Sequence, residues 1–193
     1  MKTAGVLALQ GDFEAHGKAL SAAGACPVYV REAAQLAGID GLIIPGGEST
    51  TMLKLLNAGE MLEPLRDFGR RKPIFGTCAG AILLANEVRN PAQESLGLMD
   101  IAVERNAYGR QIDSRVVRLE PESEFAGRAG EGALEAVFIR APIIRRVGPG
   151  AKVLSRYQGT PVLVEEGQHL VATFHPELGS DRRVHRLFVE KLR

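Results

Sequence analysis

The sequence predicts an α/β fold: one domain over residues 1–193, with a mixed, mostly parallel sheet flanked by helices. Two observations lead there. Short apolar runs alternate with helix-patterned segments through the first half, which is the arrangement of a parallel sheet covered on both faces. The length of 193 residues, 45% of them hydrophobic, is enough for one sizeable core.

Strands are expected at residues 6–9, 27–30, 41–44 and 73–75, each short and apolar. Helices are expected at 14–23, 50–57, 61–70 and 79–87, where apolar positions recur among good helix formers. In such a sheet the functional loops lie beyond the carboxyl ends of the strands, where Gln10, the loop from Pro45 and Cys78 all fall. The second half is richer in strand, at 101–104, 111–119, 134–139, 152–156, 161–165 and 169–174. Glu166-Gly167 marks a hairpin between the last two. Residues 120–132, polar with Gly127, Gly130 and Gly132, read as a surface connection. A final helix over 182–192 has Val184, Leu187 and Phe188 at helical spacing and Asp181 as its cap.

Composition excludes several function classes. With 24 basic against 23 acidic residues and only 5% aromatics, the chain has neither the field nor the stacking surface for nucleic acid. No apolar stretch is long enough to span a bilayer, and strand-like sequence begins almost at Met1, without a signal peptide. Cys26 and Cys78 lie in different elements and form no disulfide framework, which fits a cytoplasmic location. Two distant cysteines and scattered histidines offer no metal site, and no cofactor is called for.

Chemistry concentrates in three places. Gly76-Thr77-Cys78-Ala79-Gly80 lies between a strand and a helix, the setting of an elbow that exposes a nucleophile. Its glycines let neighbouring backbone pass, and the following helix start favours a thiolate. A small cysteine in a tight packing corner is the other reading of the pentapeptide. Almost a hundred residues later, His175-Pro176-Glu177 ends an apolar run. Proline holds His175 extended, so Glu177 projects to the same side, and the imidazole can be oriented by the carboxylate while its other nitrogen meets a thiol. A surface turn after a strand is the alternative. Third, Pro45-Gly46-Gly47-Glu48-Ser49-Thr50 follows a buried strand, and Ser49 or Thr50 can cap the next helix. The Gly47 amide, with that of Ala79, is placed to form an oxyanion hole.

These motifs, together with Arg105-Asn106-Ala107-Tyr108-Gly109-Arg110-Gln111, Phe138-Ile139-Arg140-Ala141-Pro142 and Leu178 after the His-Pro-Glu run, resemble the glutaminase subunits of pyridoxal phosphate synthases. That family belongs to the class I, triad-type glutamine amidotransferases. The resemblance covers nearly the whole chain in the right order and implies their flavodoxin-like architecture. It implies a triad of Cys78, His175 and Glu177, and glutamine held by Gly46, Gly47, Glu48, Arg105, Ile139 and Arg140. One departure is Tyr108, where the family pattern has phenylalanine. Ala79 after the nucleophile also differs from the Gly-x-Cys-Leu-Gly elbow commoner among glutaminases of other synthases.

The implied reaction is hydrolysis of L-glutamine to glutamate and ammonia through a γ-glutamyl thioester. The implied partner is a barrel-shaped synthase subunit that receives the ammonia, docking on the face of the 10–12 loop and the Pro45 loop. Arg105 and Arg140 suit the substrate's α-carboxylate through paired hydrogen bonds, and Glu48 suits its ammonium; strand-end arginines and a helix-start acid are their ordinary roles. His16, His169 and His185 are expected to be surface or packing residues. Competing assignments are a related elbow-cysteine hydrolase or stress protein, a glutaminase serving another synthase, and a non-catalytic interaction module, which would be expected to carry a broken triad.

Overall fold

A computed structural model of the chain describes residues 1–106 and 115–192. Its centre is a seven-stranded sheet in the order β10-β11-β12-β4-β3-β1-β2. Four parallel pairings join β1 (Thr3–Leu7), β2 (Cys26–Val30), β3 (Gly41–Ile44), β4 (Ile74–Thr77) and β12 (His169–Ala172). Two antiparallel strands, β10 (Ala151–Tyr157) and β11 (Thr160–Glu166), complete one edge. Between β11 and β12 lies the expected hairpin, with Gly167 at φ 56°. The mixed, mostly parallel sheet predicted from the alternating pattern is therefore present, although β1 starts three residues earlier than expected.

Strand side chains alternate between two cores. Leu7, Leu42, Ile44 and Ile74 face one side with Met52, Leu56, Leu65 and Phe68, while Val6, Ile43 and Phe75 face the other with Leu20, Val184, Leu187 and Phe188. The first face is covered by α2 (Ser49–Ala58) and α3 (Leu62–Gly69), the second by α1 (Phe13–Ala22) and α6 (Arg183–Lys191). Burial on both faces explains why the central strands read as continuous apolar runs.

Several expectations are corrected. The helix after Cys78, α4 (Ala79–Leu84), stops short of residue 87 because Ala85 turns extended, at φ −65° and ψ 146°. Residues from there form β5 (Ala85–Arg89), which pairs parallel with β6 (Met99–Glu104) and buries Ala85 and Val88. Pairing across the fold outweighs local helix propensity here. A third strand, β9 (Ile143–Val147), completes this second sheet, and neither it nor the short 3-10 turn Ala33–Gly38 was anticipated.

The connection at 120–132 contains a helix, α5 (Ser123–Ala129), anchored by the fully buried Phe125. Arg183 holds the following glycine-rich stretch by donating to the carbonyls of Gly130, Glu131, Gly132 and Ala133. Asp181 lies one residue ahead of the α6 cap position, Arg182, but still accepts from the Arg183 amide at 2.9 Å. The strand expected at 111–119 is described as β7 (Arg115–Leu119), paired with β8 (Leu134–Phe138); its first four residues and Tyr108 lie outside the described residues.

His16, His169 and His185 are all buried, so the packing reading holds and the surface reading does not. Burial lowers His16 well below 6.5, aided by the neighbouring His185 and His175. Burial also brings His169 down to about 4, against the hydrogen bond from the Ile74 amide, and His185 to about 3, with Arg182 adding to the effect. A folded-state value below the unfolded one means full stabilisation above pH 6.5 and progressive loss below it, because the unfolded chain takes up protons first. Each such histidine costs about 1.4 kcal/mol per pH unit in that window. The melting temperature is expected to fall between pH 6.5 and pH 4.5, before carboxylates titrate. Thermal melts across that range check this, and a flat profile contradicts it.

Candidate functional site

The site lies beyond the carboxyl ends of the parallel strands. Strand β1 leads to Gln10, β3 to the Pro45 loop, β4 to Cys78 and β12 to His175. The register sets the last two side by side: Gly76 is opposite Val171, Thr77 is opposite Ala172, and the Cys78 amide donates to the Ala172 carbonyl at 2.8 Å. Beyond β12, the Thr173 amide bonds to Val162 and the His175 amide to Val137, each at 2.9 Å or less. The backbone carrying His175 is thus tied to two flanking strands.

Cys78 has φ 50° and ψ −105°, a left-side conformation that a side chain adopts only under constraint. Crowding around the turn supplies that constraint. A Cβ at Gly76 would meet the Gly80 carbonyl carbon at 2.5 Å, and one at Gly80 would meet the Ile44 carbonyl oxygen at 2.1 Å. Only glycine lets β3, β4 and the start of α4 approach this closely. The elbow read from Gly-x-Cys-x-Gly is present as geometry.

His175 Nδ1 lies 2.7 Å from Glu177 Oε1, as expected from the residue between them being proline. The segment is also a turn, with the Leu178 amide bonded to the His175 carbonyl at 3.3 Å. It is not a surface turn, because both His175 and Glu177 are buried. Cys78 and His175 converge on Gly46: a Cβ there would sit 2.5 Å from His175 Cε1 and 3.2 Å from Cys78 Cβ. His175 Nε2 is buried and has no hydrogen-bond partner among the described residues, yet Cys78 is near enough to favour the imidazolium. Burial opposes the charge, but hydrogen bonding to Cys78 and Glu177 prevails and raises His175 to about 10. At neutral pH the ring therefore holds its proton beside the sulfur.

A cleft opens onto this pair, lined by Gly47, Glu48, Ser49, Cys78, Ile82, Arg105, Asn106, Ile139, Arg140, Pro142 and His175. It gathers most of the residues singled out from the sequence, and it adds Ser49, Ile82, Asn106 and Pro142. The Ile139 carbonyl is 4.0 Å from Cys78 Sγ. Arg140 is exposed and has a positive φ of 43°. Arg105 is half-buried and donates to Thr50 Oγ1 at 2.8 Å and to Glu48 Oε1 at 3.5 Å. One carboxylate and two guanidiniums thus line the cleft, suited to a ligand carrying both charges.

Ser49 and Thr50 were the expected caps of α2, but Glu48 occupies that place. Its carboxylate accepts from the Thr50 amide at 2.9 Å and the Thr51 amide at 2.7 Å. Against a small burial penalty, these bonds hold Glu48 at about 2. Gly47 has φ 139°, open to glycine alone, and Ala79 is the first residue of α4, where a helix amide has no partner within the helix. Gln10 braces this loop from below, its side chain donating to the Glu48 carbonyl at 2.8 Å. A Cβ at Gly11 would lie 2.0 Å from the Gly46 carbonyl oxygen, so the 10–12 loop is stacked directly on the Pro45 loop.

Nothing in the sequence marks His16 as part of this site. Its Nε2 lies 3.4 Å from Glu177 Oε2 and 3.2 Å from Thr77 Oγ1. Helical spacing marks position 16 as inward-facing but carries no information about what it meets across the fold.

Comparison with known proteins places the arrangement. Residues 6–193 match the model of the SNO glutamine amidotransferase family. A protein of Solibacter usitatus described as pyridoxal 5'-phosphate synthase subunit PdxT is 64% identical over 192 residues, covering all of both chains. The subunit of the same description from Koribacter versatilis is 56% identical over 190 residues, 98% of this chain and 95% of that one. A solved glutamine amidotransferase structure superposes with a TM-score of 0.87 at 46% identity, covering 97% of each chain. The structure of PurLQS from Thermotoga maritima, at 18% identity and a TM-score of 0.76 over 100% of this chain and 99% of that one, shares the fold.

Proposed function

The chain belongs to the SNO glutamine amidotransferase family, and on that premise we propose that it is the glutaminase subunit of a pyridoxal 5'-phosphate synthase, releasing ammonia from L-glutamine for a synthase partner. The observation that carries the catalytic reading is the juxtaposition of a conformationally constrained Cys78 with a cationic His175 bonded to Glu177.

Glutamine lies in the cleft with its amide against Cys78. Arg105 and Arg140 take the α-carboxylate, Glu48 takes the ammonium, Gly47 and Ile139 line the path between them, and Gly46 lies behind it against Cys78 and His175. Cys78 attacks the amide carbon as thiolate, its proton already on His175. The carbonyl electrons move to oxygen, where the Gly47 and Ala79 amides receive the charge. Collapse of this intermediate breaks the carbon–nitrogen bond as His175 gives its proton to the leaving nitrogen, so ammonia departs and a γ-glutamyl thioester remains. His175 then takes a proton from water as it attacks the thioester, and breakdown releases glutamate and the thiolate. Glu177 keeps Nδ1 protonated throughout, so that Nε2 is the nitrogen that exchanges protons.

Ammonia released into bulk water protonates and loses its nucleophilicity, so the chemistry favours a bound acceptor. The loop stacking of Gly11 on Gly46 gives that partner a physical lever, because contact at residues 10–12 bears directly on the loop that carries Gly47.

Cys78→Ala is expected to abolish ammonia release from glutamine in the presence of the synthase subunit, and turnover at the wild-type rate would remove Cys78 as nucleophile. Glu177→Gln is expected to lower kcat by roughly 10²-fold to 10⁴-fold through the wrong imidazole tautomer, with unchanged kinetics across pH as the contrary result. Adding the synthase subunit is expected to stimulate glutaminase turnover; strong activity in isolation and no response to the partner would contradict the coupling.

A further inference from the structure

Behind the cleft, two buried histidines that the mechanism does not use form a connected group with its acid. His16 comes from α1 and His185 from α6, and their rings stand edge-on to Phe75 of β4, with centroids 6.4 and 5.9 Å from it. His16 Nδ1 is 3.0 Å from His185 Nε2. On its other side, Nε2 is hydrogen-bonded with Thr77 Oγ1 at 3.2 Å and lies 3.4 Å from Glu177 Oε2. Among the described residues that buried carboxylate oxygen has no hydrogen-bond partner, as is true of His185 Nδ1.

One tautomer pattern accounts for these contacts. Burial keeps both imidazoles neutral, so each carries a single N–H. A carboxylate only accepts, and an unprotonated Nε2 on His16 would set lone pair against lone pair; the proton is therefore on Nε2. His16 Nδ1 must then accept from His185 Nε2–H, which leaves His185 Nδ1 bare, the very atom that lacks a partner. The charged groups bearing on the pair are Glu177, His175 and Arg182, the last beside His185 at the start of α6. The hydrogen bond of Nε2 goes to Thr77, and the 3.4 Å approach to Oε2 is a charge–dipole contact, the polar contact available to Oε2 among the described residues.

We propose that His16 is a positioning residue for this glutaminase site, presenting Nε2–H to the free oxygen of Glu177 and so fixing the other oxygen on His175. The inference rests on the glutaminase reading above. A carboxylate held at one oxygen can swing about its terminal torsion, whereas one held at both cannot, and the plane of the His175 ring follows it. His185 acts one step further out by setting the His16 tautomer.

The test compares His16→Gln, whose amide nitrogen reaches toward the Nε2 position, with His16→Asn, whose amide reaches only the Nδ1 position beside His185. Both are assayed for glutamine hydrolysis with the synthase subunit bound, alongside wild type and His16→Leu. His16→Asn is expected to lose about ten- to a hundredfold in kcat with KM for glutamine unchanged, and His16→Gln to stay within about threefold of wild type. Nitrogen-15 shifts should report His16 protonated at Nε2. Equal kcat for the Gln and Asn variants, or a loss that tracks melting temperature rather than the Gln/Asn difference, overturns the proposal, as does a His16 proton on Nδ1. Should His16→Leu fail to fold, the Gln/Asn pair still decides. Wild-type protein inactive toward glutamine with its partner would sink the glutaminase reading instead.

Discussion

Everything at the site depends on the parallel pairing of β4 with β12. These strands are separated by more than ninety residues in the chain, yet the register that puts Thr77 opposite Ala172 delivers their next residues into one space. A slip of one position would reverse the faces and send Phe75 and Leu170 into the wrong cores. The packing that stabilises the fold is thus the same packing that aligns sulfur with imidazole. The Cys78 amide bonded to the Ala172 carbonyl extends the ladder right up to the reactive atoms.

That alignment has a conformational cost. A cysteine at positive φ is disfavoured by about 1–3 kcal/mol and persists only where its surroundings leave no alternative. Here the surroundings are close main chain, with Gly76 against Gly80, Gly80 against Ile44 and Gly11 against Gly46, while Gly46 makes room for the side chains of His175 and Cys78. These four glycines, from β4, α4, the Pro45 loop and the 10–12 loop, let the segments approach more closely than side chains would allow. The consequence is a rigid floor under the cleft, with the rim left to longer side chains such as Arg105, Arg140 and Glu48.

How much of this was legible depended on whether the signal was local. The elbow and the His-Pro-Glu pair each carry their geometry in neighbouring residues, and each folds as that geometry implies. The central strands were visible because burial on both faces makes them uniformly apolar. What escaped notice is decided across the fold. Residues 85–87 read as the end of a helix until β6 is there to pair with them. Helix α5 depends on one buried phenylalanine amid glycines and acids. The Glu48 cap of α2 is the exception, a local contact in which the carboxylate accepts from the amides of Thr50 and Thr51 and takes the place expected of the hydroxyl residues. His16 meets Glu177 only because α1 and α6 lie on the same face as the elbow, a fact that no spacing in the sequence records.

Electrically the site sets an imidazolium between a sulfur and a carboxylate in a buried place, backed by neutral imidazoles. In the proposed mechanism that imidazolium supplies the proton for the leaving nitrogen, and the carboxylate orients the ring. The most direct measurement of this account is covalent labelling with a glutamine-mimicking electrophile in the complex with the synthase subunit, followed by peptide mass analysis. The account predicts a single adduct on Cys78, none on Cys26, and protection by excess L-glutamine. Labelling at Cys26 or elsewhere with Cys78 unmodified, or an adduct that glutamine does not suppress, would contradict it.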